Sequence, residues 1–144
     1  MPIRKSTNND YARLADLWLK TSLSAHHFID DAYWTANRKE MEERYLPMAE
    51  TFVIEEEGRI DGFVSMAGKY LAALFIDEER QGGGLGRKLL DHVKQGRDEI
   101  ELKVYVRNVN AFRFYLKQGF TVMEELTDEA TGEREYRMVW NNTN

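Results

Sequence analysis

The spacing of apolar positions changes several times along the chain, and each change marks a predicted element. Ile3 and Arg4 start a short strand. Tyr11, Leu14, Ala15, Leu17 and Trp18 then recur at helical spacing, which predicts a helix with one inward face, capped by Thr7 or Asn8. Residues 22–29 break that pattern. Asp30 or Asp31 is placed to cap a second, strongly charged helix through Trp34, Met41 and Tyr45 to Leu46, where Pro47 is expected to stop it. Residues 51–54 and 60–66 read as two strands joined by the hairpin turn Glu56-Glu57-Gly58-Arg59. The apolar run 70–76 reads as a buried strand. It passes through a charged turn and a glycine cluster into a basic helix that reaches about Gln95 and ends at Gly96. In residues 100–106, Ile100, Leu102, Val104 and Val106 alternate with Glu101, Lys103 and Tyr105, the period of a strand with one face buried. Asn108 caps a helix over 111–118 that Gly119 ends, and strands 120–126 and 134–140 close the chain as an antiparallel hairpin.

This order of strand, two helices, three strands, helix, strand, helix and two strands predicts one α/β domain over residues 1–144, with a mixed sheet and neither repeats nor a linker. A chain of this size buries about 70% of the surface its unfolded form exposes, enough to support its own core. There is no cysteine, which excludes disulfides, thiolate catalysis and zinc–thiolate sites and fits a reducing compartment. The start Met1-Pro2-Ile3-Arg4-Lys5-Ser6 lacks an apolar signal core, and the run 70–76 is too short to cross a bilayer. A cytoplasmic protein without a membrane partner is therefore expected. A net charge of −5 argues against nucleic acid as the partner; it suits plain solubility or a cationic substrate. Asn141-Asn142-Thr143 matches a glycosylation acceptor in form only. His26 and His27 lack the spacing of a metal pair, so no metal is expected.

The chemistry concentrates where the strand 70–76 meets the glycines. Gln81-Gly82-Gly83-Gly84-Leu85-Gly86-Arg87 joins a strand to a helix start, where glycines let the backbone approach a ligand and the free amides of the first turn can hold an anion such as a phosphate. It is not a nucleotide P-loop, because Arg87 precedes Lys88, Leu89 follows it, and no hydroxyl is placed for magnesium. Nor is it the dinucleotide fingerprint, because the sixth position counted from Gly82 is Arg87.

What the segment does match is Gln81-x-x-Gly84-x-Gly86, the pyrophosphate loop of the GCN5-related N-acetyltransferases (GNAT), a family that uses acetyl-coenzyme A (acetyl-CoA). A second pattern, Asn108-x-x-Ala111-x-x-Phe114-Tyr115-x-x-x-Gly119-Phe120, is similar to the other signature of that family and lies in the right order beyond the intervening strand. With the order of elements, the resemblance covers nearly the whole chain and points to the small bacterial stand-alone members. It implies a mixed, mostly antiparallel sheet of about seven strands flanked by four helices. Two central parallel strands, here 70–76 and 100–106, would be splayed to admit coenzyme A.

Carried over residue by residue, the resemblance implies that Leu74, Phe75 and Ile76 bind the pantetheine arm through their backbones. Gln81, Gly82, Gly83, Gly84, Leu85, Gly86 and Arg87 would bind the pyrophosphate. Asn108 caps its helix and can also face the cofactor. Phe114 reads as core, and Arg87, Lys88 and Lys117 are candidates for the phosphates of the nucleotide end. Tyr115 is the candidate catalytic residue: its hydroxyl can protonate the departing thiolate or only hydrogen-bond the sulfur, while without the resemblance it reads as a core aromatic. No base stands out. Glu55, Glu56 and Glu57 sit at a polar turn, while Tyr70, His27 or water are alternatives, and His27, Phe28 and Tyr70 are the candidate acceptor-site residues, with Tyr33 and Trp34 beside them. The reading is an N-acetyltransferase acting by direct attack of a bound primary amine, a protein lysine, an N-terminus or a small amine. The alternative is a non-catalytic acetyl-CoA sensor, which has no need of Tyr115. Monomer and homodimer are both compatible with the sequence.

Overall fold

The computed structural model describes residues 2–142; Thr143, the last residue of the formal glycosylation pattern, lies outside them. Seven strands form one sheet in the order β1-β2-β3-β4-β5-β7-β6. They are β1 (Ile3–Lys5), β2 (Glu50–Glu56), β3 (Arg59–Ala67), β4 (Tyr70–Ile76), β5 (Glu99–Tyr105), β6 (Thr121–Thr127) and β7 (Arg134–Asn141). Every neighbouring pair is antiparallel except β4 with β5. Among the described residues no helix is long and apolar enough to cross a membrane.

Helices cover both faces of the sheet, which explains why β3 is buried at nearly every position. Alternate side chains serve alternate faces. Phe63 packs with Leu14 and Leu17 of α1 (Tyr11–Ala25), whereas Val64 packs with Leu85, Leu89 and Val93 of α4 (Leu85–Lys94). The α4 layer also receives Tyr115 of α5 (Val109–Lys117).

The first helix is not capped by Thr7 or Asn8, because a 3₁₀ turn, Asn8–Asp10, intervenes and α1 starts at Tyr11; two helix ends also differ from the sequence reading. The first helix does not break at residue 22 but runs to Ala25, because the polar side chains that interrupt its apolar period are accommodated within it. Thr21 Oγ1 donates to the Leu17 carbonyl at 2.7 Å, and Ser22 is buried. The second helix does not stop at Pro47. α2 (Asp31–Glu40), capped by Asp30, continues through a π-helical stretch, Met41–Tyr45, into α3 (Leu46–Met48). The wider turn, in which the Leu46 amide donates to the Met41 carbonyl, carries Pro47 without a break. The irregular link between α1 and α2 is thereby reduced to residues 26–30, with His26 at its start.

Candidate active site

β4 and β5 share a single register pair, Tyr70 with Glu101, secured by the Glu101 amide donating to the Lys69 carbonyl at 2.9 Å. Beyond it the two strands diverge, while β4 stays paired with β3 as far as Ile76. Leu74, Phe75 and Ile76 thus present one backbone edge to a cleft of about 900 Å³, and backbone polar groups at such an edge call for a partner.

Asp77 turns the chain out of β4. Its carboxylate accepts from the Glu79 amide at 3.2 Å and from Arg13 Nη2 at 3.1 Å, which fixes the short 3₁₀ turn Glu78–Arg80. Gln81 folds its side-chain amide back to donate to the Ile76 carbonyl at 3.1 Å. Gly84 opens α4 at φ 80°, a left-handed conformation that a side chain would strain, and no side chain caps this helix. At Gly86 a Cβ would already touch Phe114 Cζ at 3.4 Å, so α4 runs close against Phe114 of α5 and leaves little room for a larger side chain. Gln81, Gly82, Gly84, Leu85, Gly86 and Arg87 line the cleft, and they bring to it the uncapped amides and positive end of α4. Gly83 is not among the lining residues. Phe114 lines the cleft as well as packing on the core. Of the basic candidates, Arg87 lines it and Lys88 and Lys117 do not; Arg80 and Arg107, which sequence reasoning did not single out, line it as well.

A second cavity, of about 390 Å³, opens from the same gap toward α1, α2 and the β6–β7 hairpin. Its walls are the rings of Trp18, Trp34, Tyr70 and Tyr105 together with the carboxylates of Asp128 and Glu135. Tyr105 Oη donates to Asp128 Oδ2 at 2.6 Å, and the Ala130 amide donates to Asp128 Oδ1 at 3.0 Å, so that carboxylate is locked to its own hairpin. Burial, reinforced by the Asp128 charge, raises the Glu135 pKa above the ordinary carboxylate value. Tyr70 is also raised, first by burial and then by Glu135, so at neutral pH it carries its proton and is a donor. Of the acceptor candidates, Tyr70 lines this second cavity and His27 lines the first. Phe28 lines neither; it packs edge-on against His26 and Tyr105, under the Arg107 guanidinium. Tyr33 also lies outside both linings, and Glu55 is ion-paired with Arg4.

His26, Leu74, Phe75, Asn108, Ala111 and Tyr115 line both cavities and so mark where they meet. Asn108 caps α5 by accepting from the Ala111 amide at 3.3 Å through Oδ1, which turns its Nδ2 toward His26 Nε2 at 3.1 Å. Because Nδ2 only donates, His26 Nε2 accepts, and the ring proton resides on Nδ1. Burial against Trp34, on which it stacks at 5.0 Å, lowers the His26 pKa to about 4 and keeps the ring neutral. Tyr115 is 8% exposed, and its burial, with a smaller contribution from Tyr70, raises its hydroxyl pKa above the ordinary tyrosine value. It is therefore a proton donor at neutral pH and not a base.

Sequence reasoning missed His26, Asp128, Glu135, Tyr105 and Trp18. The first had one signal, a histidine at the end of an apolar helix; the others sit on ordinary helix, strand and turn positions. Among the described residues no group of three or more His, Asp or Glu is placed to hold a metal ion.

The cleft fits a long phosphorylated thioester: an unpaired strand edge for an amide-rich arm, and an uncapped glycine loop at one end for a pyrophosphate. Comparison with known proteins agrees with this fit. Residues 21–141 match the family described as Acetyltransferase (GNAT) domain. The chain is 32% identical over 139 residues to the peptidyl-lysine N-acetyltransferase YiaC of Escherichia coli (strain K12), covering 96% of this chain and 95% of the relative. It superposes on the solution structure of apo YjaB from Escherichia coli with a TM-score of 0.85 at 27% identity, covering 96% of each chain. The structure of yncA from Salmonella typhimurium with its cofactor acetyl-CoA shares the fold at a TM-score of 0.72 and 21% identity, covering 98% of this chain and 93% of that one. The chain therefore belongs to the GNAT family of acetyltransferases, enzymes that draw their acetyl group from acetyl-CoA.

Proposed function

We propose that this enzyme acetylates a primary amine, with a peptidyl lysine as the leading acceptor class, by direct attack in a ternary complex and with Tyr115 as the acid. The observation that carries the reading is that Tyr115, a buried and protonated hydroxyl, lines both the cleft and the second cavity. The relative YiaC is named a peptidyl-lysine N-acetyltransferase, which supports the acceptor class.

Acetyl-CoA supplies the acetyl group as a thioester. The backbones of Leu74, Phe75 and Ile76 hold the pantetheine arm as a further strand would be held, and an amide near Phe75 polarises the acetyl carbonyl. The amides of residues 82–87 hold the pyrophosphate, and Arg80, Arg87 or Arg107 neutralises phosphate charge. The ammonium first loses one proton to solvent and the free amine attacks the carbonyl; Tyr115 Oη then gives its proton to the sulfur as the carbon–sulfur bond breaks, and the second nitrogen proton returns to Tyr115 as the amide forms. In balance, one ammonium and one thioester become one amide, one thiol and one proton. The absence of cysteine suits direct transfer, and together with the net charge of −5 it suits a cytoplasmic enzyme.

The test has two arms. Acetyl-CoA at ~100 times its dissociation constant stabilises the fold by about 2.7 kcal/mol, seen as a rise in melting temperature that ATP and NAD do not give. Thiol release is then followed with a lysine-containing peptide, without background because the protein has no thiol of its own. No melting shift with acetyl-CoA, or no acetyl transfer to any amine, would overturn the reading.

A further inference from the structure

The second cavity contains more acidic chemistry than an amine-binding wall requires. Its two carboxylates have different fates. Asp128 is engaged by Tyr105 Oη and by the Ala130 amide, while the hairpin closes around it through the Asp128 amide on the Glu133 carbonyl at 2.8 Å and the Gly132 amide on the Asp128 carbonyl at 2.7 Å. Glu135 sits opposite Tyr105 in the β5–β7 register, on the same face of the sheet, and among the described residues its carboxylate makes no hydrogen bond or ion pair. Lys103 of β5 lines the same cavity, yet it forms no ion pair within 4 Å of either carboxylate. The remaining groups in electrostatic reach are phenols, Tyr70 of β4, Tyr105 of β5 and Tyr33 of α2, which stay neutral at physiological pH. A half-buried acid that makes no hydrogen bond or ion pair among the described residues, in a cavity walled by Trp18, Trp34, Tyr70 and Tyr105, is the arrangement that receives an organic cation: the carboxylate takes the charge, and the ring faces take the charge and the alkyl stem together.

We propose that Glu135, in its cage of rings, is the receptor for the acceptor's ammonium group. The enzyme thereby selects unbranched alkylammonium chains such as a lysine side chain and refuses amines with a carboxylate beside them, such as the α-amine of a free amino acid. The proposal rests on the acetyltransferase reading only in calling the occupant an acceptor. The second carboxylate supplies the refusal. Asp128 cannot turn away from an incoming anion, because its hairpin and Tyr105 hold it, so a carboxylate next to the amine meets two like charges in a poorly solvated space.

Trp18 and Trp34 make the binding visible without any acetyl transfer. The protein, with coenzyme A present, is titrated with Nα-acetyl-lysine amide and with its uncharged analogue Nα-acetyl-norleucine amide while tryptophan fluorescence is followed. The lysine probe is expected to bind at least tenfold tighter than the norleucine probe, and free glycine not to bind. Glu135→Gln should erase that tenfold preference and leave the norleucine affinity unchanged, with an unaltered coenzyme A melting shift as the check that the variant is folded. Lys103→Gln, which removes the one cationic side chain that lines the cavity among the described residues, should move the preference the other way by a few fold. Equal binding of the two probes, no saturable binding of either, or an unchanged preference in Glu135→Gln would overturn the proposal. A missing acetyl-CoA shift would instead overturn the acetyltransferase reading and leave this titration to be judged on its own.

Discussion

The two cavities share six lining residues and are otherwise built from opposite materials. The large cleft sets backbone beside arginines: the free edge of β4, three glycines and the uncapped first turn of α4, with Arg80, Arg87 and Arg107 in its lining. The small cavity is mostly side chain: two indoles, two phenols and two carboxylates drawn from α1, α2, β4, β5, β7 and a hairpin loop. Main-chain amides recognise a phosphate or an extended arm whatever residues surround them, so a backbone-built cleft suits one invariant ligand. A wall of rings and charges has to be matched to its ligand residue by residue. On the proposed function, the comparison teaches where to look: the cleft for what the enzyme shares with its family, and the smaller cavity for its choice of substrate.

The largest effect is expected where the two regions meet. Tyr115→Phe keeps the ring that packs with Phe114 and Phe120 and removes only the hydroxyl. Turnover should fall by about 10²- to 10³-fold, while the acetyl-CoA melting shift and the preference for lysine over norleucine both persist. Turnover within a few fold of the parent would remove Tyr115 from the chemistry and leave both cavities as binding sites only.

The contrast also governs what could be read from the chain. The cleft's framework was legible because strand, glycine loop and helix are contiguous, and Leu74 to Arg87 is a local pattern; Arg107, which lines the cleft from beyond the end of β5, carried no such signal. The sheet was legible for the same reason, since each strand is a contiguous run bounded by turn or helix-capping residues. The smaller cavity was not. Its lining runs from Trp18 to Glu135 with no local signature, and whether Glu135 faces a cavity or solvent depends on pairing across β5 and β7. His26 was passed over in favour of its neighbour, because a helix end placed one turn further along decides which of two adjacent histidines is buried.

That burial makes a second prediction. A histidine with an unfolded pKa near 6.5 and a folded pKa of about 4 resists protonation only in the native state. Between those values the unfolded chain binds the extra proton, so the contribution is fully present above pH 6.5 and is lost as pH falls toward 4, by about 3 kcal/mol in all. Melting temperature measured from pH 7 to pH 4 should therefore fall more steeply in the parent than in His26→Gln. Parallel curves would mean that the ring is protonated in the folded protein without penalty. A smaller effect, confined to one cavity, is expected from Gly86→Leu. The new side chain meets Phe114 and Ile76 inside the cleft, so affinity for acetyl-CoA should drop by about tenfold or more. Lysine and norleucine should be discriminated as before. A lost preference would show that the cavities are not separable as described.

The smallest change tests the link itself. Asn108 does two things with one amide: Oδ1 caps α5, and Nδ2 holds His26 in the wall common to both cavities. Asn108→Ala removes both and should cost about 1 kcal/mol of stability, the usual worth of such a cap. Asn108→Asp separates them. An aspartate still accepts from the Ala111 amide, so stability near neutral pH should return, yet it can no longer donate to His26 Nε2. The imidazole is then driven to carry its proton on Nε2, facing the carboxylate, and its pKa rises toward the ordinary histidine value. The acid limb of the melting curve should flatten in Asn108→Asp while the cap is intact, and turnover should fall with acetyl-CoA binding retained. If Asp restores turnover as fully as it restores stability, the Asn108–His26 contact is helix capping alone, and the two cavities share a wall without sharing a function.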